Sequence, residues 1–294
     1  MAKNCARFCR KNITIPKLMI VDKLVNKNFS ENAENYDVAG LFQKKAAADF
    51  FELLQEKNIF KQDKNSSKID ILEVGAGTGF LTKYLSMLNN VNNLMVSDLS
   101  DEMLTVCEKN ILTQINDDST LKLNFAKFDF NQQNNNLPQF NVVACAMALQ
   151  WANDLTRSVE FITEHLQAEA SVFCFTTLTE NTFVKLQEAF VNCKLSYSGP
   201  KFLTVDNIKN SCEKYFDDVE ISIKKYHVAY DDVMKFLKGI QLTGAGNATV
   251  KKLKIKDLRA VVKEYEKLNR ENKNAVADYE VATVICRKLT KIKD

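Results

Sequence analysis

Three of the chain's eight glycines, Gly75, Gly77 and Gly79, occupy alternate positions in the run ILEVGAGTGFLTKYL. Glycine admits positive φ and lets a ligand approach the backbone, and a helix beginning after such a loop offers unpaired N–H groups. A G-x-G-x-G loop alone is a weak signal, because dinucleotide folds use a similar turn. The carboxylates around it separate the alternatives. Glu73 stands inside the apolar run before the loop, and the glycines lack the G-x-G-x-x-G spacing that holds a pyrophosphate. An acid there repels a pyrophosphate and attracts the ammonium of an amino-acid-bearing nucleoside. About 20 residues on, Asp98 ends the next apolar run, where an acid can accept both ribose hydroxyls. Asp129, followed by Phe130, ends the run after that and suits an adenine amino group beside an apolar ring face. Three acids after three successive strands suit a nucleoside without phosphate, and point to S-adenosylmethionine rather than NAD. Taken singly, each has a plainer reading: Gly75 and Gly79 as turn glycines, and Asp98 with Leu99-Ser100 as the cap of the next helix.

The elements that must position these groups alternate along the chain. IDILEVG (69–75), NLMVSDL (93–99), LKLNFAKF (121–128), FNVVACAMAL (140–149) and SVFCFTTL (171–178) read as strands. FLTKYLSML (80–88), DEMLTVCEKNIL (101–112) and LTRSVEFITEHL (155–166) have helical spacing between them. Such alternation implies a parallel sheet with helices on both faces. The rhythm then changes. TFVKLQEAFVNC (182–193) and VDNIKNSCEKY (205–215) read as helices, VEISIKKYHVAY (219–230) as a strand, DDVMKFLKGIQL (231–242) and IKDLRAVVKEYEKLNR (255–270) as helices, and YEVATVICRKL (279–289) as a closing strand. The expectation is one doubly wound, seven-stranded, mostly parallel α/β domain whose last strands form an antiparallel pair. Residues 1–68 form a basic and helical N-terminal segment, 69–230 and 278–294 the core, and 231–277 a helical lid inserted between the last two strands.

Composition narrows the function. The 294 residues are 46% hydrophobic and 26% charged, enough for a sizeable core. Forty Lys+Arg against 37 Asp+Glu leave +3, so affinity for an acidic partner must come from local clusters. No basic and aromatic stripe marks a nucleic-acid binder. The eight cysteines contain no CxxC pair, which reads as reduced thiols in a cytoplasmic protein. The two histidines, His165 and His227, lie far apart, so no metal site is expected. The longest apolar run, Val142 to Leu149, is far short of the roughly 20 residues a membrane span needs. Five basic residues precede the first acid, Asp22, and could pass for a targeting segment; a basic leader is the plainer reading.

Ligands of such sheets bind at the carboxyl ends of the strands, so the end of the fourth strand, AMALQW (146–151), should border a transferred methyl. No Asn-Pro-Pro-Tyr-like tetrapeptide occurs there, which argues against transfer to an amide or a base nitrogen. A carboxylate acceptor needs no general base, being ionised at neutral pH.

With these residues in hand, the chain resembles the malonyl-[acyl-carrier protein] O-methyltransferase family of biotin synthesis from about Phe29 to the C-terminus. The resemblance lies in Phe29, Ala33, Tyr36 and Asp37 of FSENAENYD, in LEVGAGTGFLTKYL and SDLSDEML, in ALQW with the only tryptophan, Trp151, and in FTTL, KFLT (201–204) and LKGIQLTGA (237–245). It implies esterification of the free carboxylate of a malonyl thioester on acyl carrier protein, in a monomer. The implied cofactor set is Glu73, Gly75, Ala76, Gly77, Gly79, Asp98, Leu99, Met103, Asp129, Phe130 and Ala146, with Tyr36, Gln150 and Trp151 closing the methyl pocket. Trp151 as core filling and Tyr36 as a surface aromatic are the plainer alternatives. Lys235, Lys238 and Lys252, within a lid cluster that includes Lys251, Lys254, Lys256 and Arg259, offer a positive surface to an acidic carrier, and Lys238 is the candidate for the malonyl carboxylate or the phosphate of the prosthetic arm. Such a charge run can equally be a solvated face. The chain departs from the family at TEHLQAEASVF, where a glycine-rich turn is usual, and in the shifted Gly239 to Gly244 element. Two other readings stay open: methylation of another small carboxylic acid or metabolite, and a non-catalytic S-adenosylmethionine-binding assembly factor.

Overall fold

Alternation within the first strand decides the layering. The structure is a computed structural model describing residues 40–61, 68–114, 120–132, 137–168, 170–197, 199–242, 253–269 and 275–288. Strand β1 (Ile69–Val74) is IDILEV, and successive side chains of a strand point to opposite faces. Ile69 and Ile71 join one buried cluster, with Leu94, Val96, Phe50 and Leu54. Leu72 and Val74 join another, with Val143, Phe173, Phe161 and Ile208. A strand apolar on both faces must lie in the middle of the sheet with helices on either side.

The described strands form one seven-stranded sheet in the order β3-β2-β1-β4-β5-β7-β6. These are β1, β2 (Val91–Asp98), β3 (Lys122–Lys127), β4 (Val142–Ala146), β5 (Val172–Leu178), β6 (Asp218–Tyr230) and β7 (Ala275–Arg287). β1 to β5 pair in parallel, whereas β7 runs antiparallel to both β5 and β6. The expected antiparallel closing pair is therefore present. The helices are α1 (Leu41–Glu56), α2 (Thr82–Leu85), α3 (Asp101–Leu112), α4 (Leu155–Glu164), α5 (Val184–Asn192), α6 (Val205–Cys212), α7 (Val233–Leu242) and α8 (Ile255–Leu268). Helices α1 and α3 cover the first face, and α4 and α6 the second. Beyond β7, Phe183, Phe236, Val261 and Tyr265 from α5, α7, α8 and their approaches pack with Phe42 and Tyr279 in a third cluster. The inserted helices are thus joined to the sheet through α1 and β7.

Register aligns the ends that matter. Glu73 lies beside Val96 and Ala144, and Val74 beside Ser97. The strand order reverses between β1 and β4, the topological switch point at which open α/β sheets bind ligands. The glycine loop after β1, Asp98 and Ala146 therefore meet at one edge.

Several boundaries differ from the sequence reading for local reasons. β4 stops at Ala146 because Met147 takes positive φ, 56°, and Leu149–Trp151 form a 3-10 turn. α2 is a single turn, Thr82–Leu85. β7 begins at Ala275, where it pairs with Tyr230, and so claims residues assigned to the lid. Among the described residues no group of His, Cys, Asp and Glu could hold a metal ion, and no helix is long and apolar enough to cross a membrane.

Candidate functional site

The glycine loop is held open by the backbone of β2. Gly75 and Gly77 have φ of +69° and +57°, a region that costs other L-residues about 1–2 kcal/mol. A Cβ at Gly75 would meet the Ala148 Cβ at 2.4 Å, while one at Gly77 would meet nothing within 4 Å. Gly75 is thus fixed by packing against the turn after β4, and Gly77 faces space. Ala76 N–H donates to Ser97 O at 2.9 Å, and Gly77 N–H to Asp98 Oδ2 at 2.8 Å. Asp98 Oδ1 accepts from Ser100 N–H at 2.9 Å. Ser100 in turn caps α3, its hydroxyl accepting from Met103 N–H at 3.2 Å. Burial raises the Asp98 pKa, against the backbone N–H groups of Ser100, Gly77 and Leu99, which lower it.

Glu73 sits beneath the loop, 1% exposed. Burial pushes its carboxyl up to about 8, and the Asp98 charge adds to the rise; Thr82 opposes it by donating from its hydroxyl and its backbone N–H. The other oxygen, Oε2, is buried without a hydrogen-bond partner. A buried acceptor left unpaired costs free energy that a donor from a ligand can recover.

Glu73, Gly75, Ala76, Gly77, Asp98 and Leu99 line a single pocket, and Met103, Phe130, Ala146 and Trp151 complete it from α3 and the ends of β3 and β4. The structure also adds residues that the sequence did not offer. Gln43 and Ala47 reach the pocket from α1, Phe80 from the glycine loop, and Phe128 and Asn131 from the end of β3, while Met147 and Ala148 of the expected AMALQW segment line it from the turn after β4. Phe42, Ala46, Ala47 and Phe50 carry the helical spacing that buries α1, but nothing local says where that face lands.

Five expected residues stand elsewhere. Asp129 does not line the pocket: Asn131 N–H donates to its Oδ1 at 2.8 Å and Gln132 Nε2 to its Oδ2 at 2.7 Å, so its carboxylate closes its own turn. Gly79 is packing rather than lining, since a Cβ there would meet Cys107 Sγ at 2.9 Å. Gln150 lines a neighbouring cleft, because its amide is turned back to donate to Met147 O at 2.6 Å. Lys235 is paired with Asp231 one helical turn away, and neither it nor the exposed Lys238 borders the pocket. Tyr36, Lys251 and Lys252 lie outside the described residues.

The pocket fits S-adenosylmethionine. An unpartnered buried carboxylate oxygen suits an ammonium, the second acid lies at the end of β2, and the apolar walls Leu99, Met103 and Phe130 suit a base. No phosphate cradle accompanies them, since two carboxylates line the pocket. Those two acids are the titratable side chains of its lining among the described residues.

Comparison with known proteins agrees with this geometry. The family model described as a methyltransferase domain matches residues 72–172, the stretch from β1 through β4 into β5. The malonyl-[acyl-carrier protein] O-methyltransferase of Bacillus anthracis is 26% identical over 275 residues, covering 89% of this chain and 95% of the relative. The protein of the same name from Bacillus cereus is 26% identical over 242 residues, covering 78% and 83%. Among solved structures, a putative methyltransferase from Bacillus halodurans superposes with a TM-score of 0.55 at 14% identity, over 83% of this chain and all of its own.

Proposed function

We propose that this chain, a class I S-adenosylmethionine-dependent methyltransferase, esterifies the free carboxylate of a malonyl thioester carried on acyl carrier protein. The observation that carries the reading is the pocket lining, which among the described residues holds no His, Lys, Cys or Tyr. Its two acids, Glu73 and Asp98, face the cofactor. With no other proton-accepting side chain among the described lining residues, the site suits an acceptor that arrives as a ready nucleophile, and a carboxylate is ionised at neutral pH. The relatives that align over most of the chain bear the name of an enzyme with such an acceptor.

When bound, the cofactor supplies an electrophilic methyl on a sulfonium sulfur. Glu73 holds its ammonium through the unpaired oxygen, Asp98 accepts from the ribose hydroxyls, and the backbone of Gly75, Ala76 and Gly77 closes against the amino-acid portion. Leu99, Met103 and Phe130 wall the base. Ala146, Met147 and Trp151 shape the space where the acceptor oxygen meets the methyl. Catalysis is then alignment of oxygen, carbon and sulfur in a water-poor site. Esterification removes the charge of the malonyl group, so that the product can pass through fatty-acid elongation in the cytoplasm. Lys238 and Lys252 of the lid are the candidates for contact with the acidic carrier.

The test is a side-by-side assay of malonyl-carrier protein, malonyl-CoA and free malonate. Ester is expected only when the acid is presented as a thioester. Equal kcat/KM for free malonate would overturn the carrier-protein reading.

A further inference from the structure

The Leu149–Trp151 turn is a wall shared by two cavities. Trp151 faces the cofactor pocket, whereas Leu149 and Gln150 face a second cleft of about 480 Å³. That cleft runs between the start of α4, the end of β5, the KFLT segment and α6. Its walls are polar where the cofactor pocket is apolar: Asn153, Thr156, Thr177, Asn207, Asn210 and Ser211 surround it.

Two cations converge on the cleft from different segments, Lys201 before α6 and Lys214 after it. Both are exposed, and neither is paired with a carboxylate among the described residues. The carboxylate on the same wall, Asp154, is already engaged: it caps α4 by accepting from Arg157 N–H at 3.3 Å, and its other oxygen lies 3.8 Å from Arg157 Nε. The cleft therefore presents two uncompensated positive charges and amide donors to whatever enters it. Gln150 adds a buried side-chain oxygen without a partner, an acceptor for an amide or hydroxyl N–H or O–H of the same ligand. The lid lysines contrast with this, since Lys235 is neutralised by Asp231 and neither Lys235 nor Lys238 borders the cleft.

We propose that this second cleft is the acceptor's entry site, and that Lys201 and Lys214 bind the phosphate of a pantetheine-type arm whose amides pass along Gln150 toward the cofactor pocket. The assignment rests on the carrier-bound acceptor proposed above. An arm with an anionic head, amide groups and a terminal acyl thioester matches the order of the site: cations, then amide donors and an unpaired acceptor, then the methyl pocket. The carrier protein itself stays outside the cleft mouth.

Calorimetry with 4′-phosphopantetheine and with pantetheine, each in the presence of the demethylated cofactor, tests it. The full chain is expected to bind the phosphorylated arm about 10- to 100-fold more tightly, the range for charge-assisted hydrogen bonds. Lys201→Glu combined with Lys214→Glu should abolish that preference while cofactor affinity and melting temperature hold. Lys201→Gln with Lys214→Gln should reduce it and serves if the charge reversal does not fold. A wild-type protein indifferent to the phosphate, or a preference that survives both double variants, would overturn the assignment. The malonyl thioesters of the two arms are then assayed for methyl transfer. Phosphate-dependent binding without methylation of either arm would leave the cleft assigned and remove malonate as the acceptor.

Discussion

The backbone N–H of Gly77 donates to Asp98 Oδ2 at 2.8 Å, so the loop after β1 is tied to the carboxylate that ends β2. The other oxygen of Asp98 holds Ser100 N–H at 2.9 Å, and Ser100 caps α3. One side chain thus sets the glycine loop, the start of the helix and the acid that faces the pocket.

Asp98 variants should separate these roles. Asp98→Asn keeps one acceptor oxygen and removes the charge; Asp98→Ala removes both. Titration with S-adenosylmethionine should show affinity lowered about 10- to 100-fold in the Asn variant, as for loss of a charged hydrogen-bond partner. The Ala variant should lose methyl transfer altogether and melt below the Asn variant.

The two loop glycines should fail in different ways. Gly77→Ala bears the cost of positive φ, about 1–2 kcal/mol, in open space, so the chain should fold and lose cofactor affinity as the methyl occupies the pocket. Gly75→Ala adds a collision with the Ala148 Cβ, 2.4 Å away, and overpacking of that kind adds typically about 1–3 kcal/mol. Thermal melts should place Gly75→Ala clearly below Gly77→Ala. The reverse order would mean that the turn after β4 moves freely.

Glu73 links function to stability with a definite sign. Its folded pKa is raised from 4.5 to about 8, so the folded state binds the proton more tightly than the unfolded chain. The stability this contributes is fully present below about 4.5 and is lost as the pH rises through about 8. Glu73→Gln escapes that loss. In the absence of cofactor it should melt above the wild type at about pH 9, by about 2–4 °C per kcal/mol recovered, and should show a flatter melting profile from about pH 5 to 9. The same variant should bind S-adenosylmethionine more weakly, because a neutral amide cannot pair with the ammonium. Parallel melting profiles for the two proteins would remove the buried carboxyl from the site.

Helix α1 should matter to the cofactor although it precedes the first strand of the sheet. Phe42 stacks on Tyr279 with ring centroids 3.9 Å apart, and Gln43 and Ala47 on the same helix line the pocket. Phe42→Ala should lower stability by about 3–5 kcal/mol and weaken cofactor binding together, read from melts with and without the ligand. Loss of stability with unchanged affinity would free α1 from the site.

The parts legible in the sequence were those written in local spacing. Alternate glycines, an acid inside a buried strand and an acid at the end of the next fixed the loop and the switch point, and strand and helix periods fixed the order of the core. Other parts depended on geometry that spacing does not carry. Asp129 stands at the expected distance, but the backbone of Asn131 bends to take its carboxylate. Gln150 and Trp151 are neighbours in sequence, yet a 3-10 turn has about three residues per turn and directs consecutive side chains apart, so they fall in different cavities. The contribution of α1 is tertiary and leaves no local mark. The Asp231–Lys235 pair is different, because its i, i+4 spacing was visible and is enough to pair a lysine on a helix.

The decisive measurement is the position of the transferred methyl. Malonyl-carrier protein incubated with the enzyme and methyl-labelled S-adenosylmethionine should gain one labelled methyl on its acyl group, removed by mild alkali as expected for an ester of the free carboxylate. Label that stays off the acyl group, or that attaches to the carrier polypeptide, would contradict a carboxylate acceptor in this pocket.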